Sequence, residues 1–530
     1  MTAEPIVTPS PDPLVRRLSR QFVRLREFLL GESAPREGLW LGLFFTLLAS
    51  LPFLMTRYPQ MVDYPAHLAR FHIMLTRDQS PFLQQYYGFE WHWMGNLGAD
   101  LLIRPLAQFM PLETAGWLIA AIIPPLTALG IMAVQWTLRG RIGLASMLAF
   151  AFVWSPSMLL GFLNFGLAQA MALFAFALWV KLEGKSWRAP LFIPIGLVVW
   201  LAHVSGWGIL GLMVFGYEWH KSKSWRAFVA PWPLFFPLLA LVAGGGVGKP
   251  PSYGPRPEIY KWAIWKQAMR GTLQWFDYAN ALIICAMLAV SIAFRRWDWR
   301  LGWAALLMLA ASLVMPRHIF GGDLVDARMI SAGLLVGALS LAWKAPRWVV
   351  MAATLLFIGR LGYTAMDWRR DSRATAEMLT ALDGLPRGAR IASYMVTEKA
   401  EWGYNSQEHI CGYAVVRLDA LINCNFALPG IHMLTINEDS MFFRDPFHRL
   451  NHRKGKKIDT YYYEPALHTD WFWYMAQEDP VRLPFGYKEV RRGHHWILAK
   501  RVTPARSDAA AWAPAWAPAK RCLAKALTHS

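Results

Sequence analysis

"GLWLGLFFTLLASLPFLMTRYPQMVDYPAHLAR", residues 38–70, decides what kind of fold this chain can have. Its first part is apolar over about the length a helix needs to cross a bilayer, and polar Asp63, His67 and Arg70 follow almost at once. Apolar runs of similar length recur from residue 37 to 365, hydrophobic residues make up 55% of the 530, and charged residues only 17%. That pattern describes a mainly α, polytopic helical membrane bundle.

The formal net charge is +19, which in a soluble domain would point to nucleic acid. Here much of the Lys and Arg falls in short loops between apolar runs, where it serves topology, so no nucleic-acid partner is expected. Many of the 28 Trp stand at the ends of those runs, as Trp40, Trp117, Trp136, Trp187, Trp219, Trp343 and Trp348 do, where an amphipathic ring prefers the headgroup layer. Residues 1–36 carry Arg16, Arg17, Arg20, Arg24, Arg26 and Arg36 with no small-residue cleavage site after the first run, so this basic segment is expected in the cytoplasm.

From that anchor the first span, residues 37–56, runs outward and the polar motif opens an outer loop, 57–114. A span near 115–137 returns to Arg139 and Arg141. Residues 142–180 and 189–219 are each long for one span and short for two, and each is broken, by "WSPSMLLGFLNFG" and "LAHVSGWG"; both read as hairpins with turns near the outer face. Further spans near 227–245, 278–294, 301–316, 329–343 and 348–365 bring the total to about eleven. An odd number puts residues 366–502 outside, where "ARIASYMV" and "GYKEVRRGHHWILAKR" read as strands of a small external α/β domain. Residues 503–530 form an Ala/Pro tail. Cys411 and Cys424 both fall in the external domain and are either a disulfide or two buried thiols.

The candidate chemistry follows from sidedness, because the polar loops of interest share one face. Asp63, His67 and Arg70 stand at i, i+4 and i+7, one face of a helix. Asp63 is also a good N-cap with Pro65 in the first turn, and the two roles are compatible. Later in that loop "EWHWMGNLGADLLIRP" reads as an amphipathic helix, with Asn96 and Asp100 four apart; Asp100 stands among apolar neighbours, whereas Glu90 and His92 fit a solvated face as well as a site. Asn164 and His203 sit in the hairpin turns, where polar groups face a cavity or the bundle interior, His203 only as lining. "MPRHIFGGDLVDARMI" holds Arg317, Asp323, Asp326 and Arg328: the arginines suit a phosphate, and the aspartates suit a divalent cation or, more simply, salt bridges. "PEIYKWAIWKQAMRGTLQWF" describes a basic, aromatic interfacial helix. "GGGVGKP" only mimics a phosphate loop, since Pro250 follows Lys249.

"DYPAHLARFHI", "NLGADLL", "GFLNFGLAQAMALFAFALWV" and "GYAVVRLDALINCNFALPG", together with the large first outer loop and the external C-terminal domain, resemble a group of bacterial multi-pass proteins of the GT-C glycosyltransferase superfamily. The superfamily includes protein O-mannosyltransferases, oligosaccharyltransferases and lipid A aminoarabinose transferases. The resemblance implies transfer of a sugar from a polyprenyl-phosphate donor to a glycan, lipid or protein acceptor at the outer face of a bacterial inner membrane. It makes Asp63 the general base, with Arg70, Arg317 and Arg328 as groups for the departing phosphate. Many of these enzymes carry an acidic pair in the first loop; here Tyr64 follows Asp63, which puts metal dependence in question.

Two other classes fit a polytopic protein. A transporter or flippase of lipid-linked saccharide predicts ionisable residues at mid-membrane and related halves, and neither stands out, Arg360 falling near the outer end of its span. A non-catalytic scaffold of envelope assembly predicts that Asp63→Asn is silent.

Overall fold

The computed structural model describes residues 13–32, 34–243, 250–319, 321–397, 402–428, 432–438, 440–445, 450–452 and 457–503. The mimic of a phosphate loop at 244–249 and the expected tail beyond 503 lie outside them. The chain is mainly helical, with a small sheet toward its C-terminus.

Among the described residues, five helices are long and apolar enough to cross a membrane: Pro35–Leu54, Leu112–Arg139, Leu163–Lys181, Gln274–Ala293 and Arg347–Leu382. Others are apolar but shorter, namely Leu144–Leu159, Arg188–Ala202 and Trp299–Val314. At 1.5 Å per residue, the 15 residues of Arg188–Ala202 reach only about 22 Å against a hydrocarbon core of about 30 Å. The breaks fall where the sequence puts a proline, a glycine or a polar cap. Pro156 and Gly161 (φ +86°) interrupt 144–181, and His203, in extended backbone, divides 188–222. Pro231 and Pro233 divide the expected 227–245 span into short helical pieces.

Basic helix ends gather at one end of the bundle. Arg139 donates to the Leu341 carbonyl and pairs with Asp298 (3.2 Å), Arg300 reaches the Leu138 carbonyl (3.1 Å), Arg141 faces Glu32 (3.6 Å) and Arg347 pairs with Glu37 (3.0 Å). At the other end the hairpin turn at 201–204 bonds back to Gly95 and Leu97 of the first loop, each at 2.8 Å. Arg360 is buried and pairs with Asp277, in the first turn of Gln274–Ala293, and with the carbonyls of Met269 (3.0 Å) and Trp154 (3.2 Å). Tertiary partners thus satisfy its charge.

The helix that begins at Arg347 continues unbroken for 33 residues to Leu379, so the expected domain boundary near 366 falls inside a helix. Among the described residues there are eight strands, in chain order: β1 (Tyr87–Phe89), β2 (Arg390–Thr397), β3 (Leu421–Ile422), β4 (Leu434–Ile436), β5 (Leu450–His452), β6 (Trp471–Met475), β7 (Tyr487–Arg492) and β8 (Trp496–Arg501). β1 and β4 pair antiparallel, which stitches the first loop to the C-terminal part. The larger sheet runs β3-β2-β6-β8-β7, with β5 beyond β3 on the same edge of β2. Strand periodicity decides its two faces. Ile391, Met395, Trp473, Met475, Trp496 and Leu498 join the core of the helical bundle, whereas Ala392, Phe472, Tyr474, Ile497 and Ala499 form a separate cluster on the far side. One continuous core therefore runs from the bundle into the sheet.

Candidate active site

The polar motif after the first apolar run leads into the helix Tyr64–Thr76. Its buried face is Tyr64, Ala66, Leu68, Ala69, Phe71 and Ile73, leaving Asp63, His67 and Arg70 on the remaining face. Asp63 occupies the N-cap position, but its side chain makes no capping hydrogen bond. This corrects the capping expectation, and the reason is local: the backbone at Asp63 is already helical (φ −86°, ψ −4°), which turns the carboxylate away from the first-turn N–H groups. The carboxylate is 21% exposed and faces His409, with Oδ1 to Nε2 at 3.6 Å.

The broken turn at 156–165 forms the floor. Val62 and Asp63 donate their N–H groups to the carbonyls of Leu159 (3.3 Å) and Leu160 (3.0 Å), and His67 Nε2 meets the Gly161 carbonyl at 3.2 Å. A side chain at 161 would crowd the Asp63 nitrogen at 3.1 Å and would have to adopt φ +86°, which explains the glycine. Burial, then the charge of Arg70, lowers the His67 pKa to about 3. His67 is therefore neutral at physiological pH, and because a carbonyl can only accept, its proton sits on Nε2.

Arg70 is committed to Asp100 (2.8 Å), which is fully buried. Asn164 binds the same carboxylate (3.3 Å), the Asn96 carbonyl (2.8 Å) and the Asn96 side chain (3.0 Å), while its own oxygen accepts from the Ala99 N–H (2.6 Å). The expected helix over 90–105 starts only at Gly98. Asn96 lies ahead of it, so Asn164, not helical spacing, brings Asn96 and Asp100 together. Glu90 and His92 are exposed.

Arg328 is buried at 7% exposure, with its guanidinium 4.4 Å above the Phe162 ring and 5.7 Å from Phe165. No hydrogen bond or ion pair to its guanidinium is found among the described residues, and its Nε is buried unpaired. The carboxylates of Asp323, Asp63 and Asp326 act on it only through space. Arg317, by contrast, is closed on Asp323 by two hydrogen bonds of 2.6 and 2.8 Å and is not free for a phosphate. Asp326 is taken by Lys261 (2.6 Å) and Tyr260 (2.9 Å), both on the expected interfacial segment, which folds as Pro257–Lys266. The two aspartates therefore serve salt bridges. Among the described residues, no three His, Cys, Asp or Glu side chains group as a metal site would need. His203 is buried and caps the helix Val204–Ser222, its Nδ1 accepting the Ser205 N–H at 2.9 Å, with the ring against Phe165 (5.6 Å).

Three C-terminal residues that local sequence patterns did not mark also reach this place. His409 faces Asp63, Phe426 packs on His409 (4.9 Å) and on His432 (5.8 Å), and His432 is close enough to Arg70 for that charge, after burial, to lower its pKa to about 4. Cys411 and Cys424 are disulfide-bonded, closing the loop between His409 and Phe426. The signal in sequence was that cysteine pair, together with Phe426 inside "GYAVVRLDALINCNFALPG"; His409 and His432 lie outside that stretch. Comparison with protein-family models and with curated proteins returns no match.

Proposed function

We propose that this chain is a membrane glycosyltransferase of GT-C type, transferring a sugar from a polyprenyl-phosphate donor to an acceptor at the outer face of the bacterial inner membrane. In this reading about eleven segments enter the bilayer, the N-terminus is cytoplasmic and the sheet domain is periplasmic. The gathering of basic helix ends opposite the Asp63 end supports that orientation.

The observation that carries the reading is the placing of two unlike groups around the 156–165 turn: a carboxylate not used as a cap, and a buried guanidinium with no counter-ion among the described residues. Asp63 takes the proton of the acceptor hydroxyl as its oxygen bonds to the anomeric carbon. The bond from that carbon to the phosphate oxygen breaks, and the phosphate leaves with the electron pair, needing no acid. Arg328 meets the charge that grows on the phosphate. Arg70, Asp100, Asn96 and Asn164 fix the position of the floor and helix, and neutral His67 holds the Gly161 turn.

The test is transfer by the purified chain in detergent from a panel of polyprenyl-phosphate sugars. Asp63→Asn should lower kcat by about 10²- to 10⁴-fold. Undiminished transfer would overturn the base assignment, and no transfer from any donor, with lipid-linked saccharide crossing vesicles, would replace the enzyme by a transporter.

A further inference from the structure

The helix Pro13–Leu30 lies at the basic end, remote from the site above. Arg347 clamps its end: the Arg347 N–H donates to the Gly31 carbonyl (2.9 Å), its guanidinium donates to the Phe28 carbonyl (3.2 Å) and stacks over the Phe28 ring (4.6 Å), and the same group pairs with Glu37 at the start of the first membrane-length helix. This clamp fixes the helix beside the first turns of Pro35–Leu48 and Arg347–Leu379.

Between this helix and Trp348 lies an open cleft of about 300 Å³ lined by Phe22, Leu25, Leu29, Leu30 and Trp348, with Arg26 the one charged group of its wall among the described residues. Phe22 is 68% and Trp348 51% exposed, a poor arrangement in water. Arg17, Arg24 and Arg26 are all exposed on the same helix. By helical spacing Arg17 and Arg24 fall on the face turned away from the cleft, so the cation at its edge is Arg26. Apolar walls with a cation at the edge, held where spans begin, match one kind of occupant: acyl chain below and phosphate above.

We propose that this cleft binds a phospholipid with an anionic headgroup, its chain among Phe22, Leu25 and Trp348 and its phosphate on Arg26. The site is independent of the transfer reaction. It requires only that the neighbouring helices stand in a membrane, with the Pro13–Leu30 helix in the headgroup plane.

Native mass spectrometry of the full-length chain, released from detergent with added phosphatidylglycerol or phosphatidylcholine, tests it. Phosphatidylglycerol should be retained in preference, and Arg26→Gln should weaken that retention about fivefold, the loss expected for one surface arginine. Phe22→Ser should weaken retention of both lipids. Equal retention of the two lipids by the wild type, or titrations of Arg26→Gln and Phe22→Ser that overlay the wild type, would overturn the proposal. So would a dimer in detergent that Phe22→Ser dissociates, since a second copy would then be the occupant.

Discussion

A buried guanidinium with no counter-ion in contact among the described residues lowers stability, because ring stacking and distant carboxylates repay only part of its desolvation. Arg328 is such a group, which makes stability and activity separable there. Arg328→Met keeps similar bulk against Phe162 and removes the charge, so the melting temperature should hold or rise while, under the proposed function, transfer falls about 10²-fold or more. Loss of both would make Arg328 structural. His409, 3.6 Å from Asp63, positions that carboxylate; His409→Gln should lower kcat about tenfold with KM for the donor unchanged, measured by initial rates. The Asp63, His67 and Arg70 face was legible because helical spacing is local information, and Asp100 was legible because a lone carboxylate among leucines has to find a partner. Asn164 could be placed in a turn but not assigned its three acceptors. His409 and His432 could not be read at all, since they reach Asp63 and Arg70 from more than 300 residues away along the chain and no periodicity records such a meeting.

Helix against helix, the site depends on close backbone approach. The helix Gly412–Leu418 covers Tyr64–Thr76, and a Cβ at Gly412 would stand 2.4 Å from the Pro65 carbonyl oxygen. Because the obstacle is backbone, Gly412→Ala has to push the two helices apart, costing about 1–3 kcal/mol and moving His409 away from Asp63. Thermal unfolding and transfer assays on one preparation should show both falling together, unlike the separation expected for Arg328→Met. At this level most helices were legible from apolar runs, but their lengths were not. A run of apolar residues says where chain is buried, not where Pro156, Gly161 or Pro231 will end a helix, so segments expected as spans emerge as short pieces. The helix from Arg347 differs in the other direction: its second half is polar enough to look like a new domain, yet nothing in it stops the helix.

The C-terminal part was legible as a small α/β unit, but its sharing of one core with the bundle was not, because the alternation of Ile391 and Met395 with Ala392 fits a freestanding sheet equally well. Polar links reinforce that docking. Asp419 binds His72 (2.7 Å), Ser80 (2.9 Å) and Arg387, joining the first loop to the sheet. Burial alone would raise the Asp419 carboxyl, but the hydrogen bonds from His72, Arg387 and Ser80 prevail and hold its pKa below the ordinary carboxylate range. His67 and His432 are lowered mainly by burial, to about 3 and about 4. All three groups therefore bind protons more readily in the unfolded chain. Their contribution to stability should be flat above about pH 7, decline from about 6.5 as the histidines of the unfolded chain take up protons, and decline further below about 4 as Asp419 joins them; His468, raised by its hydrogen bond to Glu464, opposes the first decline. Melting temperature against pH checks both windows. His67→Gln should flatten the slope between about pH 6.5 and 4, and Asp419→Asn should lower the plateau while reducing the loss below about 4. A His67→Gln profile as steep as the wild type in the upper window would show that the imidazole is not held neutral in the folded chain. The contact between the 64–76 helix and the Gly161 turn would then have to be rebuilt around a charged His67.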